Sequence, residues 1–254
     1  MSAYLLLFSC CLFLNISAQE KDTTEIESIS TDRPDQSESP TVLPFKHFQM
    51  EIGVNVESEE KELSFVHPTI LWRIGILKST ELRVTTDVLT QKDTTGKYKV
   101  GFAPMSIGFK TKICEERKAR PAIAILSAVT IPYLSTKIQR TKYFAPEIIM
   151  AFEHSFKKNI GLGYNGGMRW DGFSPQPAFI YSVVNDVGFA KTCSFFYEFY
   201  GEIPIQQRST HSFDTGITWV IQNNMQIDFS GGVQLFPFAK AWFTSIGYSF
   251  RVPN

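Results

Sequence analysis

Between Met225 and Leu235 the chain alternates without a break. Met225, Ile227, Phe229, Gly231, Val233 and Leu235 take the odd positions, and Gln226, Asp228, Ser230, Gly232 and Gln234 the even ones. A period of two sends successive side chains to opposite faces of a strand, so one face here is apolar and the other polar. The pattern returns about every 17 residues from Phe48 to Phe250, the rhythm of a membrane-spanning β-barrel. It predicts about twelve strands. The first has Phe48, Met50, Ile52, Val54 and Val56 on its outward face, and the second Val66, Ile70, Trp72, Ile74 and Ile76. The third has Leu82, Val84, Thr86 and Val88, the fourth Met105, Ile107 and Phe109, and the twelfth Trp242, Thr244, Ile246, Tyr248 and Phe250.

The connections carry a second regularity. Every other one is tight, as at Lys78-Ser79, Lys157-Lys158-Asn159, Lys191-Thr192 and Gln222-Asn223-Asn224. Those between are mostly longer: 57–62, 91–97, 132–141 and 204–210. Short periplasmic turns alternating with longer outer loops is the asymmetry of outer-membrane barrels. Only 114–120 is too long for the side to which it falls. A soluble β-sandwich also alternates, but its strands run to five or six residues, whereas these approach the ten that a tilted membrane strand needs. Trp170, Trp219, Trp242 and Tyr248 sit near strand ends, as interfacial aromatics do. The fold class is therefore all-β, a transmembrane antiparallel up-and-down β-barrel with a short N-terminal periplasmic or lumenal segment. In lipid every backbone group needs a partner, so the last strand should pair with the first.

The ends support export. Residues 1–18 carry no charge, run apolar from Tyr4 to Leu14, and offer Ile16-Ser17-Ala18 as a cleavage site, which reads as a signal peptide. Residues 19–45 are polar and aperiodic, an extended segment or a plug, and 46–254 form the barrel. The location implied is the outer membrane of a Gram-negative bacterium, with lipid around the wall. Lys+Arg and Asp+Glu are equal at 25 each, which gives no reason to expect nucleic acid as a partner. Cys114 and Cys193 remain after the signal. Their spacing does not resemble a metal site, and their pairing is left open.

Taking the polar faces as the lumen places Glu51, Asp87, Glu147, Glu153, Asp186, Glu198, Glu202, Asp214 and Asp228 inside, with Arg73, Arg83 and Arg169. Such an interior is acidic, and rings of carboxylates favour cations. The alternative is an ion-pair network that fills the lumen. Asp32, Arg33, Asp35 and Glu38 lie just before the first strand, and a fold-back of this segment would bring Arg33 to the acidic wall. An enzyme is not expected, and neither cofactor nor metal is implied. His154-Ser155 and His211-Ser212 are adjacent on strands, so each pair points to opposite faces and makes no dyad. Gly161-Leu162-Gly163-Tyr164-Asn165-Gly166-Gly167 relieves crowding or bends the wall rather than cradling phosphate.

Two stretches carry a family resemblance. Thr31-Asp32-Arg33-Pro34-Asp35-Gln36-Ser37-Glu38-Ser39-Pro40, followed by Phe48-Gln49-Met50-Glu51-Ile52-Gly53, resembles the opening of a family of outer-membrane barrels named for transport in the phenol meta-cleavage pathway. The resemblance implies a channel or transporter for small molecules, aromatic or hydrophobic ones among them. A structural or surface-binding barrel, or an outer-membrane lipid hydrolase, is the alternative. The close on Gly247-Tyr248-Ser249-Phe250 is similar to the C-terminal signal that barrel-assembly machinery recognises.

Overall fold

Thirteen strands follow one another in sequence: β1 (Phe48–Glu59), β2 (Glu62–Leu77), β3 (Thr80–Lys92), β4 (Tyr98–Phe102), β5 (Met105–Cys114), β6 (Ala122–Ile131), β7 (Ala145–Lys157), β8 (Ile160–Arg169), β9 (Ala178–Gly188), β10 (Cys193–Pro204), β11 (Thr210–Gln222), β12 (Met225–Phe236) and β13 (Trp242–Val252). The computed structural model describes residues 28–253 apart from 60–61, 93–94, 158, 206 and 238–240; the expected signal peptide, 1–18, lies outside the described residues. Every pairing is antiparallel. β13 pairs with β1 from Phe48↔Val252 to Ser58↔Trp242, so twelve strands close into a ring with β4 as an extra piece. Closure leaves no unpaired edge, the condition for a sheet to sit in lipid.

The wall is inside-out relative to a soluble protein. Arg73, Lys110, Gln49, Glu51, Glu81, Glu198, Asp214 and Asp228 are among the most completely buried side chains, while Ile148, Phe179, Trp219 and Phe229 on the outer face are more than half exposed. Only a surrounding hydrocarbon makes that distribution favourable, which places the barrel in the outer membrane. At the periplasmic end an aromatic cluster spans the closing seam, with ring centres 6.0 Å apart for Phe48 and Trp72, 6.3 Å for Phe48 and Phe250, and 6.1 Å for Tyr248 and Phe250. The long 114–120 connection is itself a small hairpin: Arg117 and Arg120 exchange backbone hydrogen bonds of 3.0 and 3.1 Å around Lys118 at φ 58°.

Two details correct the sequence reading, and proline is the cause of both. Val66, expected on the outward face, is buried inward, because a bulge between Val66 and Thr69 shifts the β2 register at Pro68. An extra residue reverses the parity of everything before it. Tyr98–Phe102, to which no strand had been assigned, pairs with Val88–Lys92 of β3, while β5 pairs with the lower part, Thr80–Thr85. β4 and β5 therefore occupy one wall position, interrupted at Ala103-Pro104, where Pro104 has no N–H to offer the ladder.

Candidate functional site

Residues 28–45 enter the lumen from the periplasmic end and return to it. Ile29 N donates to Asn223 O at 2.7 Å, beside the β11–β12 turn, and Lys46 N donates to Gly75 O at 2.8 Å, at the foot of β2. Between these points the segment has few apolar residues. Ile29, Val42 and Leu43 are buried near its ends, and its middle is held by charge and hydrogen bonds.

One side of the loop docks on an ion cluster built by β1, β2, β3 and β5. Arg73 reaches Glu81 and Glu51, each at 2.9 Å, and Asp32 at 3.1 Å. Lys110 reaches Asp32 at 2.7 Å and Glu38 at 2.8 Å; Arg83 pairs with Glu38 at 2.9 Å, with Glu81 at 3.1 Å and with Asp32. Three cations thus face four carboxylates, two from the loop and two from the wall. Burial by itself would push the Asp32 carboxyl up, but Arg73, Lys110 and Arg83 together hold it well below its ordinary value.

The two stretches that carry the family resemblance touch each other in this region. Gln49 donates to Ser30 O at 2.8 Å, Asp32 N donates to Glu51 at 3.1 Å, and the Arg33 guanidinium lies over Gly53. Gly53 and Gly247 face one another across the β1–β13 seam, and a Cβ on either would overlap Arg33. The pair of glycines makes the hollow in which that side chain sits. Arg33 then donates to Asp228 at 3.2 Å and to Ser245 at 2.6 Å.

The opposite side of the loop meets an acidic arc. Gln36 N donates to Glu198 at 2.7 Å, and Ser37 Oγ to the other oxygen of Glu198 at 2.6 Å. The Asn165 side-chain amide accepts from Glu38 N at 2.6 Å and donates to Glu38 O at 2.9 Å. Asp214 lies directly across the ladder from Glu198, on the same inward face, and is likewise fully buried. Asp35 comes close to this pair; burial first, and then the Glu198 and Asp214 carboxylates, push it well above its ordinary value.

Space remains on both sides of the loop. A cavity of about 590 Å³ opens toward the long-loop side, bounded by Glu57, Tyr200, Ser212 and Trp242. One of about 420 Å³ opens toward the periplasm, where Glu153, Asp186, Gly161 and Gly163 line it. Arg33, Pro34 and Asp35 form the floor of the first and the roof of the second.

The sequence-derived candidates thus separate into groups. Glu51, Arg73, Arg83, Glu198, Asp214 and Asp228 meet or adjoin the loop; Glu153 and Asp186 line the periplasmic cavity. Glu147 and Arg169 form an ion pair at 2.5 Å near the outer rim, beside Glu202, and Asp87 borders the break in the wall. Glu81 and Lys110 were missed, although Glu81 lies two positions from inward Arg83 and Lys110 one position from outward Phe109, so that both share the inward parity. Among the other sequence candidates, His154 lies 3.5 Å from the Tyr164 hydroxyl, His211 is bonded to Tyr181 at 2.7 Å, and Cys114 and Cys193 are both free thiols.

Solved outer-membrane barrels share this architecture. An outer-membrane channel from Pseudomonas putida F1 is similar with a TM-score of 0.66 at 10% identity, over 86% of this chain and 98% of that one. The NanC porin (TM-score 0.57, 5% identity) and the KdgM porin (0.54, 8%) each match over 79% of this chain and 98% of theirs. No curated protein matches the chain by sequence. A family does, over residues 31–252, from the first residues of the loop to the last strand: the chain belongs to the family described as "Putative MetA-pathway of phenol degradation".

Proposed function

We propose that the protein is an outer-membrane channel for small molecules, aromatic compounds among them, whose passage is closed in the structure described by the loop of residues 28–45. The observation that carries this reading is the pair of lumenal cavities, of about 590 and 420 Å³, which lie on either side of the loop and share Arg33, Pro34 and Asp35 as lining. A barrel of twelve strands lies between those filled by their own side chains and the wide porins, so one loop is enough to shut it. Aromatic solutes are supported by the family description; the polar, acid-lined lumen supports passage of hydroxylated or positively charged molecules over anions. The aromatic-ended β13 is the segment that we propose the assembly machinery engages.

Glu198 and Asp214 set the ion preference in this reading. They face each other at the level of the closing loop with Asp35 as a third carboxyl, whereas the carboxylates on the β2–β5 side are matched by Arg73, Arg83 and Lys110. Replacing both, Glu198→Gln with Asp214→Asn, is expected to lower the cation preference read from the reversal potential of the refolded chain in a planar bilayer under a salt gradient. An unchanged reversal potential would remove these two residues, and the acidic arc with them, as the source of selectivity.

A further inference from the structure

The interruption at Ala103-Pro104 leaves a notch in the wall on the long-loop side. Above Met105, β5 has no continuation beside β6, and the β6–β7 connection fills the place: Met105 N donates to Leu134 O at 3.3 Å and Thr136 N to Phe102 O at 3.1 Å. A short helix at Lys137–Gln139 packs its side chains against Gly101, and Gln91 ties it to β3 through a 2.9 Å bond to Gln139. What is left is a cavity of about 450 Å³ bounded on one side by Phe102, Ala103, Met105, Tyr133 and Leu134, with Thr86, Asp87, Ser135 and Thr136 completing its lining. It faces the membrane side, since Phe102 is 61% and Tyr133 68% exposed.

Positive charge surrounds the top of this apolar notch. The Arg140 guanidinium stacks over Tyr133 at 5.6 Å, and Lys92 stands over Tyr98 at 5.7 Å. The two segments that frame the notch, 92–102 and 132–144, carry six basic residues, Lys92, Lys97, Lys99, Lys137, Arg140 and Lys142, against one acid, Asp93, and β3 adds a second, Asp87, in the cavity lining. Apolar volume on the outer side of the wall, with cations around its long-loop end, is complementary to a lipid with acyl chains and an anionic head.

We propose that this notch is a binding site for a phosphorylated glycolipid of the outer leaflet, of the lipid A class, with an acyl chain in the cavity beside Phe102 and Leu134 and a phosphate on Arg140 and Lys137. The site does not depend on the channel reading; it would hold a lipid whether or not solutes cross the lumen. Its position on the β4 and β6–β7 side also accounts for why an interrupted wall tolerates exposure to lipid: the occupant covers the apolar residues at the gap.

Native mass spectrometry of the refolded barrel tests this, with lipid A, its dephosphorylated form and phosphatidylethanolamine added separately. Retention of one lipid A at a concentration at least about tenfold below that needed for phosphatidylethanolamine is expected. The double variant Arg140→Gln with Lys137→Gln, on exposed loop residues, should bind lipid A no better than the dephosphorylated form. Ala103→Phe should weaken all three lipids by occupying the cavity. Equal retention of the three lipids by the wild type overturns the proposal, as does an undiminished phosphate advantage in the double variant. A folded Ala103→Phe barrel with unaltered retention overturns the acyl-chain placement; the unboiled-gel mobility of the folded form establishes that each variant has closed.

Discussion

Deleting residues 20–40 is expected to raise the single-channel conductance of the barrel several-fold and to reduce its preference for cations. The first effect follows from place. The loop meets β1, β2, β3 and β5 on one side and β8 and β10 on the other, and Arg33, Pro34 and Asp35 separate the two cavities. The second follows from charge. The deletion takes out seven carboxylates and two cations in all, and of these Asp32, Asp35 and Glu38 and the Arg33 guanidinium belong to the part of the loop inside the barrel, whose loss makes the lumen more positive by two. It also leaves Arg83 and Lys110 without Asp32 and Glu38, the loop carboxylates they bind. A deleted barrel that migrates as folded on an unboiled gel yet conducts as the full chain does would show that the loop does not close the path. Higher conductance with unchanged selectivity would locate the ion preference in the wall alone, at Glu198 and Asp214.

The architecture was legible because membrane strands repeat one rule many times. A single misassigned residue in β12 changes nothing when eleven other strands show the same alternation, and the closing pair β1–β13 follows from the need to leave no edge in lipid. Errors arose where proline interrupts the ladder. Pro68 shifted the register, so Val66 turned inward, and Pro104 split one wall position into β4 and β5. Tyr98, Val100 and Phe102 do alternate with Lys99 and Gly101, but five residues followed by Ala103-Pro104 read as a loop end rather than a wall strand. Within the lumen, the inward face of each strand could be read, and with it the acids of β10–β12. The division of labour could not. Which carboxylates meet cations depends on neighbours around the ring, and Lys110 of β5 meets Asp32 from 78 positions away. Arg33 was foreseen to find an acidic partner; that the Gly53–Gly247 pair makes its seat follows only from the closed seam.

Asp32 is the residue on which docking of the loop depends most, since among the described residues it alone is ion-paired with all three cations of the cluster, Arg73, Arg83 and Lys110. Asp32→Asn keeps the shape and removes the charge. Loss of one partner from a buried ionic cluster costs about 3 kcal/mol, roughly a hundredfold in the docking equilibrium. The expected readout is frequent opening of a channel that is otherwise shut, with the barrel still folded. Two titrations then give docking a pH optimum. Asp32 is held below its ordinary value near 3.8, so its contribution is complete above that value and is lost as the pH falls below it. Asp35 is held above the same value by burial and by Glu198, so the undocked loop gains by releasing that proton, and docking weakens as the pH climbs from about 3.8 toward the raised value. Opening should therefore be rarest near the ordinary carboxylate value of 3.8, where both contributions are complete, and increase on both sides. Asp35→Asn should flatten the alkaline limb and leave the acid limb, while Asp32→Asn should do the reverse at a higher overall open fraction. If both variants keep both limbs, the pH dependence comes from wall carboxylates, Glu198 and Asp214 first among them, and the loop follows their charge instead of its own.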